Sequence, residues 1–157
     1  MHPLGIILRE KDLTEEEYEK LAAEILMVCR ENGTDCILHS WVGAARRLGC
    51  PCIHLPFEKF CREARGIQDF QKTGVSIHSV AEAVRAQELG ASYVTAGHIF
   101  PTDCKKGVPA RGIGFLREVC EAVTIPVFAI GGITPQNATE VCKAGAAGYC
   151  VMSGVMR

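Results

Sequence analysis

Short apolar runs alternate along the chain with longer segments whose apolar residues recur every three or four positions. The runs are Gly5–Leu8, Asp35–His39, Cys52–Leu55, Gly74–His78, Tyr93–Ala96, Ile125–Ile130 and Ala147–Met152, and their length and composition predict strands. The segments between them predict helices. Thr14 caps the first, with Glu17 three residues on as its capping-box partner, and the helix runs to about Arg30, burying Leu21, Ile25, Val28 and Cys29. Asn32-Gly33 stops it. Shorter helices follow over Trp41–Leu48 and Glu58–Arg65, then from a Ser79 cap to Leu89, and over Ile113–Val123. A last one starts at a Thr134 cap, with Pro135 in its first position, and ends at Ala144.

A strand followed by a helix about every twenty to twenty-five residues predicts a parallel sheet wrapped by helices, an α/β fold. The repeated glycine after each helix suits a (β/α)8 barrel better than an open doubly wound sheet. Seven strands are legible where a closed barrel has eight. The expectation is therefore one domain, residues 1–157, forming a barrel that lacks one strand–helix unit, with Ser153-Gly154 opening a final helix that barely begins.

Composition narrows the function. A chain of 157 residues with a net charge of −1 has no broad basic surface for nucleic acid. No apolar run approaches the roughly 18 residues of a membrane span, and Met1-His2-Pro3-Leu4 does not open a signal peptide, so the expected partner is not a membrane and the expected compartment is the cytoplasm. The nine cysteines, with Cys50-Pro51-Cys52 as the tightest pair, have neither zinc nor redox spacing and read as reduced packing thiols. Cys104, in a cationic loop, is the candidate for a lowered pKa.

In a barrel the chemistry lies where strands end. The polar candidates fall there: Arg9 and Lys11, His39, Ser76 and His78, His98 with the loop carrying Thr102, Asp103, Lys105, Lys106 and Arg111, then Gly131-Gly132 and Ser153-Gly154. His98 follows a strand and opens a cationic, glycine-rich loop, which suits an anionic small molecule, and imidazole titrates near neutrality. A structural role for that histidine fits the same position. Gly131-Gly132 and Ser153-Gly154 follow the last two strands, where such barrels bind phosphate through backbone N–H groups. The histidines lie on different strands without an accompanying carboxylate cluster, so no metal site is expected.

Gly74-Val-Ser-Ile-His-Ser, Ala96-Gly-His-Ile-Phe-Pro-Thr-Asp-Cys-Lys-Lys-Gly, Ala129-Ile-Gly-Gly-Ile-Thr, Val151-Met-Ser-Gly and Leu8-Arg-Glu-Lys-Asp-Leu together resemble the thiamine phosphate synthase/TenI superfamily, beginning at the family's second strand. The resemblance implies a (β/α)8 barrel of the thiamine phosphate synthase type without its first strand–helix unit, a role in making thiamine, and a homodimer. It also offers two activities. Synthases carry carboxylates for magnesium and pyrophosphate after the third and fourth strands, where this chain has His39-Ser40-Trp41 and Leu55-Pro56-Phe57-Glu58. They also have glutamine at Ile7, threonine at Cys104 and usually proline at His98. These departures look like the TenI branch, a thiazole tautomerase. On that expectation His98 shuttles a proton to aromatise a carboxythiazole phosphate without a cofactor. Arg9, Lys11, Ser76, His78, Thr102, Lys105, Gly131, Gly132, Ser153 and Gly154 would bind the phosphorylated thiazole substrate. The alternatives are the synthase, with magnesium, and a non-catalytic regulator of the pathway.

Overall fold

The computed structural model describes residues 3–102 and 107–152. Strands and helices alternate as β1 (Gly5–Leu8), α1 (Glu15–Glu31), β2 (Asp35–His39), α2 (Val42–Arg47), β3 (Cys52–Pro56), α3 (Phe57–Glu63), a 3₁₀ turn (Ala64–Gly66), β4 (Lys72–Ile77), α4 (Val80–Glu88), β5 (Tyr93–Gly97), α5 (Gly112–Ala122), β6 (Val127–Ile130), α6 (Ala138–Lys143) and β7 (Gly148–Cys150). The hydrogen-bonded order of the strands is the chain order. The chain divides into two compact units, residues 1–74 and 75–157, and β4 carries it from one to the other.

In the first unit β1 pairs parallel to β2 with Leu8 opposite Leu38, and β2 pairs parallel to β3 with His39 opposite His54. Leu38, Ile53, Leu55, Ala44, Ala45, Phe60, Tyr18 and Ala22 are buried and form the core. Helix α1 begins as its sequence dictates. The Thr14 hydroxyl accepts from the Glu17 N–H at 3.3 Å while the Glu17 carboxylate accepts from the Thr14 N–H at 2.9 Å, which satisfies two of the amides left over at a helix start. Its buried face differs from the expected one. Tyr18, Ala22 and Cys29 are buried, Leu21 and Ile25 are half-buried, and Val28 is 52% exposed. The stripe is rotated toward Tyr18 because an amphipathic ring with a bonded hydroxyl covers more core than Val28 would.

In the second unit β5 pairs parallel to β6 and β6 to β7, over a core of Val75, Ile77, Val94, Ala96, Ile99, Leu116, Val119, Val127 and Val141. Ser79 caps α4, accepting from Glu82 N–H at 3.1 Å. Helix α6 starts at Ala138, later than the Thr134–Pro135 start expected from sequence. The Asn137 carboxamide accepts from the Thr134 N–H at 2.8 Å and donates to the Gly132 carbonyl at 3.0 Å. Such side-chain bonds offer the backbone a turn in place of the first helical turn. The expected final helix at Ser153 lies outside the described residues.

Burial also sorts the thiols. Cys29, Cys36, Cys50 and Cys52 are buried and free, as packing cysteines should be, whereas Cys61 and Cys142 are exposed and Cys120 and Cys150 half-buried. Cys104 lies outside the described residues.

Candidate functional site

The polar side chains gather where strands end, and each unit assembles its own group. In the first unit the organising atom is the Tyr18 hydroxyl. It donates to the Leu8 carbonyl at 2.8 Å and accepts from the His39 N–H at 3.0 Å, tying the ends of β1 and β2 together. Burial pushes this phenol up to about 12, so it stays protonated and keeps both bonds. Arg9 and Lys11 follow the pinned carbonyl and are exposed. His39 stands at the end of β2, its ring stacked on His54 with centroids 5.6 Å apart and planes 23° apart. Burial, then the positive charges of Arg9 and Lys11, push His39 down to about 4. Burial, then His39 and Arg9, push His54 down to about 3. Both imidazoles are therefore neutral at pH 7. Ser40, the described non-glycine residue with positive φ (69°), sets its hydroxyl 2.8 Å from His39 Nδ1.

The synthase expectation puts a magnesium ion at these strand ends, and the residues present do not fit one. Magnesium takes oxygen ligands in octahedral array. Here the ends of β2 and β3 supply two neutral imidazoles and Ser40, with Arg9 and Lys11 close enough to depress His39. Glu58 is exposed on the first turn of α3. Among the described residues no group of three or more histidine, cysteine or carboxylate side chains is arranged to hold a metal.

In the second unit the organising atom is the Gly97 carbonyl, at the end of β5. His78 places Nδ1 3.0 Å from it, and Arg111 donates its Nε–H at 3.1 Å. Gly97 must be glycine, because a Cβ there would stand 2.8 Å from the Ile130 carbonyl oxygen. Ser76 accepts from the Thr95 hydroxyl at 3.2 Å. His98 is buried, 7% exposed, with Nε2 3.2 Å from the Val108 carbonyl, so its imidazole ties the start of the loop to its far side. Gly131 and Gly132 have φ of 100° and 66°, and a Cβ on them would collide with His98 Cβ and the Pro101 carbonyl respectively. The glycine pair thus lies directly against the loop, and the Gly131 carbonyl accepts from Phe100 N–H at 3.0 Å. Thr102 is half-buried at the last described position before residues 103–106; Lys105, Ser153 and Gly154 lie outside the described residues.

Of the expected site residues, the structure leaves Arg9 and Lys11 exposed after β1, their charges acting on His39, and sets His78, His98, Gly131 and Gly132 about the start of the loop after β5. Sequence reasoning missed Tyr18, Ser40 and the His39–His54 stack, and it left Arg111 among the loop cations. The one signal in the sequence was a similar placement, His39 closing the run Asp35–His39 and His54 lying one residue inside the end of Cys52–Leu55; the register then sets the two opposite each other.

Parallel strands followed by helices, with their polar side chains at the strand ends, define an α/β protein of the (β/α) type. The sequence matches the profile of the TMP-TENI family, thiamine monophosphate synthase, over residues 5–155, and the chain belongs to that family. It is 36% identical over 153 residues to the thiamine-phosphate synthase of Pyrococcus abyssi, covering 97% of this chain and 74% of that one. It is 37% identical over 153 residues to the thiamine-phosphate synthase of Bacillus velezensis, covering 94% and 68%. The solved structure of thiamine phosphate pyrophosphorylase from Pyrococcus furiosus superposes with a TM-score of 0.83 at 31% identity, over 98% of this chain and 74% of that one. The fold is accordingly the α/β fold of the thiamine phosphate synthase type.

These relatives overturn the tautomerase expectation. Proteins sharing more than a third of their residues over nearly the whole chain carry the synthase name. The proton-shuttle role given to His98 goes with that activity. The departure that suggested it has a structural account, because a buried imidazole bonded to the Val108 carbonyl braces the loop. Among the described residues no helix is long and apolar enough to cross a membrane.

Proposed function

We propose that the chain acts as a transferase of the thiamine-phosphate synthase type, joining a pyrimidine pyrophosphate to a thiazole phosphate. The observation that carries this reading is identity of 36–37% to synthases over 153 residues. In the reaction a carbon–nitrogen bond forms at the thiazole nitrogen while the bond from the pyrimidine methylene to the pyrophosphate oxygen breaks. The electron pair of that bond leaves with pyrophosphate, and no oxidant or reductant is involved. Two tasks fall to the protein: to neutralise charge that accumulates on the leaving group, and to hold the two substrates in line.

Cationic and neutral donor side chains suit the first task, and Arg9, Lys11 and His39 are proposed for it. For the second, Gly131 and Gly132, together with Ser153 and Gly154 on their sequence position after the last strand alone, are proposed to bind phosphate through backbone N–H groups. His78, Ser76, Thr102 and Lys105 complete the proposed substrate contacts. His98 is a positioning residue, acting through the loop it braces. The homodimer and the cytoplasmic location implied by the family resemblance are part of the same proposal.

The test is direct: purified chain is incubated with hydroxymethylpyrimidine pyrophosphate and thiazole phosphate, and thiamine phosphate is measured by fluorescence after oxidation. The expected outcome is enzyme-dependent thiamine phosphate together with stoichiometric pyrophosphate. A chain that circular dichroism shows to be folded and that yields neither would end the synthase reading.

A further inference from the structure

Helical periodicity predicts that Leu21, Ile25 and Val28 are buried with Cys29, and the structure leaves them partly open. Arg47 of α2 pairs with Glu15 and Glu19, both at 2.7 Å, which fixes α2 along one flank of α1. Tyr18, Ala22 and Cys29 fill the middle of the inner face. At about 100° per residue, Leu21, Ile25 and Val28 form the other flank, away from α2. Leu21 and Ile25 are half-buried there and Val28 is exposed.

The helix side of β1 is open in the same way. This strand stands at the end of the strand order and bonds to β2 along one edge. Ile6 is level with Cys36, and the Cys36 thiol lies against Cys29 of α1, so Ile6 faces the helix layer. Ile6 is 43% exposed and Leu4 84%. Val28 and Ile6 thus stand at the same end of the two elements, next to the Cys29–Cys36 contact. Beyond the apolar flank, Glu17, Glu24 and Glu31 recur at about every second turn of α1 and so stack in one row. All three are exposed, and none makes an ion pair among the described residues. Lys20, which borders the row, is bound to Glu16.

We propose that this surface docks an amphipathic helix of another polypeptide, its apolar stripe covering Leu21, Ile25, Val28 and Ile6 and its lysines or arginines facing Glu17, Glu24 and Glu31. Apolar burial supplies the affinity, and the acidic row supplies the choice of partner. A second copy of this chain seated by the same flank, sheet edge to sheet edge, sets its own glutamate row beside this one, and like charges repel. An anionic membrane surface is repelled for the same reason. A helix laid into such a surface needs only apolar residues at a spacing of three and four, with basic residues along one edge. The inference is independent of the synthase reading, because the surface lies on the helix side of β1 and not at the strand ends.

The probe is a fluorescein-labelled synthetic peptide of about 18 residues, long enough to form a helix. It carries leucine at every third or fourth position and lysine along both edges of that stripe. A control peptide has glutamate in place of each lysine. Fluorescence anisotropy with the full chain at low ionic strength is expected to show the lysine peptide binding at least about tenfold more tightly than the control. That advantage should shrink in 1 M salt, where the Debye length falls to about 3 Å. Val28→Asp, at an exposed position, is expected to weaken binding of the lysine peptide about tenfold or more. The double substitution Glu24→Gln/Glu31→Gln should remove most of the preference for lysine over glutamate. Arg30→Gln, on the far side of α1, should leave both affinities unchanged. All variants are checked for folding by circular dichroism. Equal binding of the two peptides, binding indifferent to Val28→Asp, or no binding by the folded chain would each overturn the inference. So would sedimentation showing self-association that Val28→Asp abolishes, which would give this surface to a second copy.

Discussion

His39 and His54 are held uncharged because burial outweighs everything else acting on them, and the cations nearby push in the same direction. Their folded values, about 4 and about 3, lie below the 6.5 at which each titrates in the unfolded chain. Between those limits the unfolded state binds more protons than the folded one, so stability rises with pH across the window. The contribution is complete above pH 6.5 and is lost as pH falls toward 4. Each histidine adds up to ~1.4 kcal/mol per pH unit, less for His39, which is only half-buried. Urea denaturation of the full chain should therefore give a clearly lower unfolding free energy at pH 5.5 than at pH 7.5. A flat profile over that range would mean that the stacked pair accepts a proton freely in the folded state.

The elements were legible in the sequence where a local rule decides them. The Thr14–Glu17 capping box and the Ser79 cap form as their spacing dictates, because they need only neighbours a turn away. Two expectations failed, one to a competing local turn and one to partners distant in the chain. The Thr134–Pro135 start gave way to a turn held by Asn137, and the buried stripe of α1 turned toward Tyr18 because its hydroxyl has partners on β1 and β2. The candidate site shows the same division. Arg9, His78, His98 and the glycine pair are visible as polar or glycine residues after apolar runs, whereas the Tyr18 tie and the positive φ of Ser40 exist only once the strands are side by side. Tyr18→Phe keeps the ring in the core and removes both bonds, so it should cost about 1–3 kcal/mol through the unmatched Leu8 carbonyl and His39 amide. Hydrogen exchange should show faster exchange of the His39 amide in the same variant. If exchange and stability are both unchanged, the hydroxyl does not tie the strand ends.

For the molecule as a whole, the family relation and the chemistry of this chain pull in different directions at one end of the fold. The sequence carries the family's glycines and loop motif over residues 5–155, yet the positions expected to hold carboxylates are His39, Ser40 and Trp41. A reading weighted to those few positions favoured the tautomerase, whereas the relatives that match at 36–37% identity over 153 residues are named synthases. The thiols give a test of the burial pattern across the chain. Among the described cysteines, peptide mapping after brief alkylation should find Cys61 and Cys142 modified first. Cys36, which burial pushes up to about 12, should stay unmodified along with Cys29, Cys50 and Cys52 until denaturant is added. Alkylation of Cys36 as fast as Cys61 would show that this core opens readily.

The Tyr18 hydroxyl has one further consequence. It anchors backbone atoms, the Leu8 carbonyl and the His39 amide, and leaves the side chains beyond them untouched. The strand ends therefore work as a socket whose contacts can be exchanged without rebuilding the mount. Carboxylates could be installed at positions 39 and 40, or the cations at 9 and 11 removed, while the seat that presents them stays where α1 holds it. Such a socket lets the polar groups it presents change by a handful of substitutions while the ends of β1 and β2 keep their place.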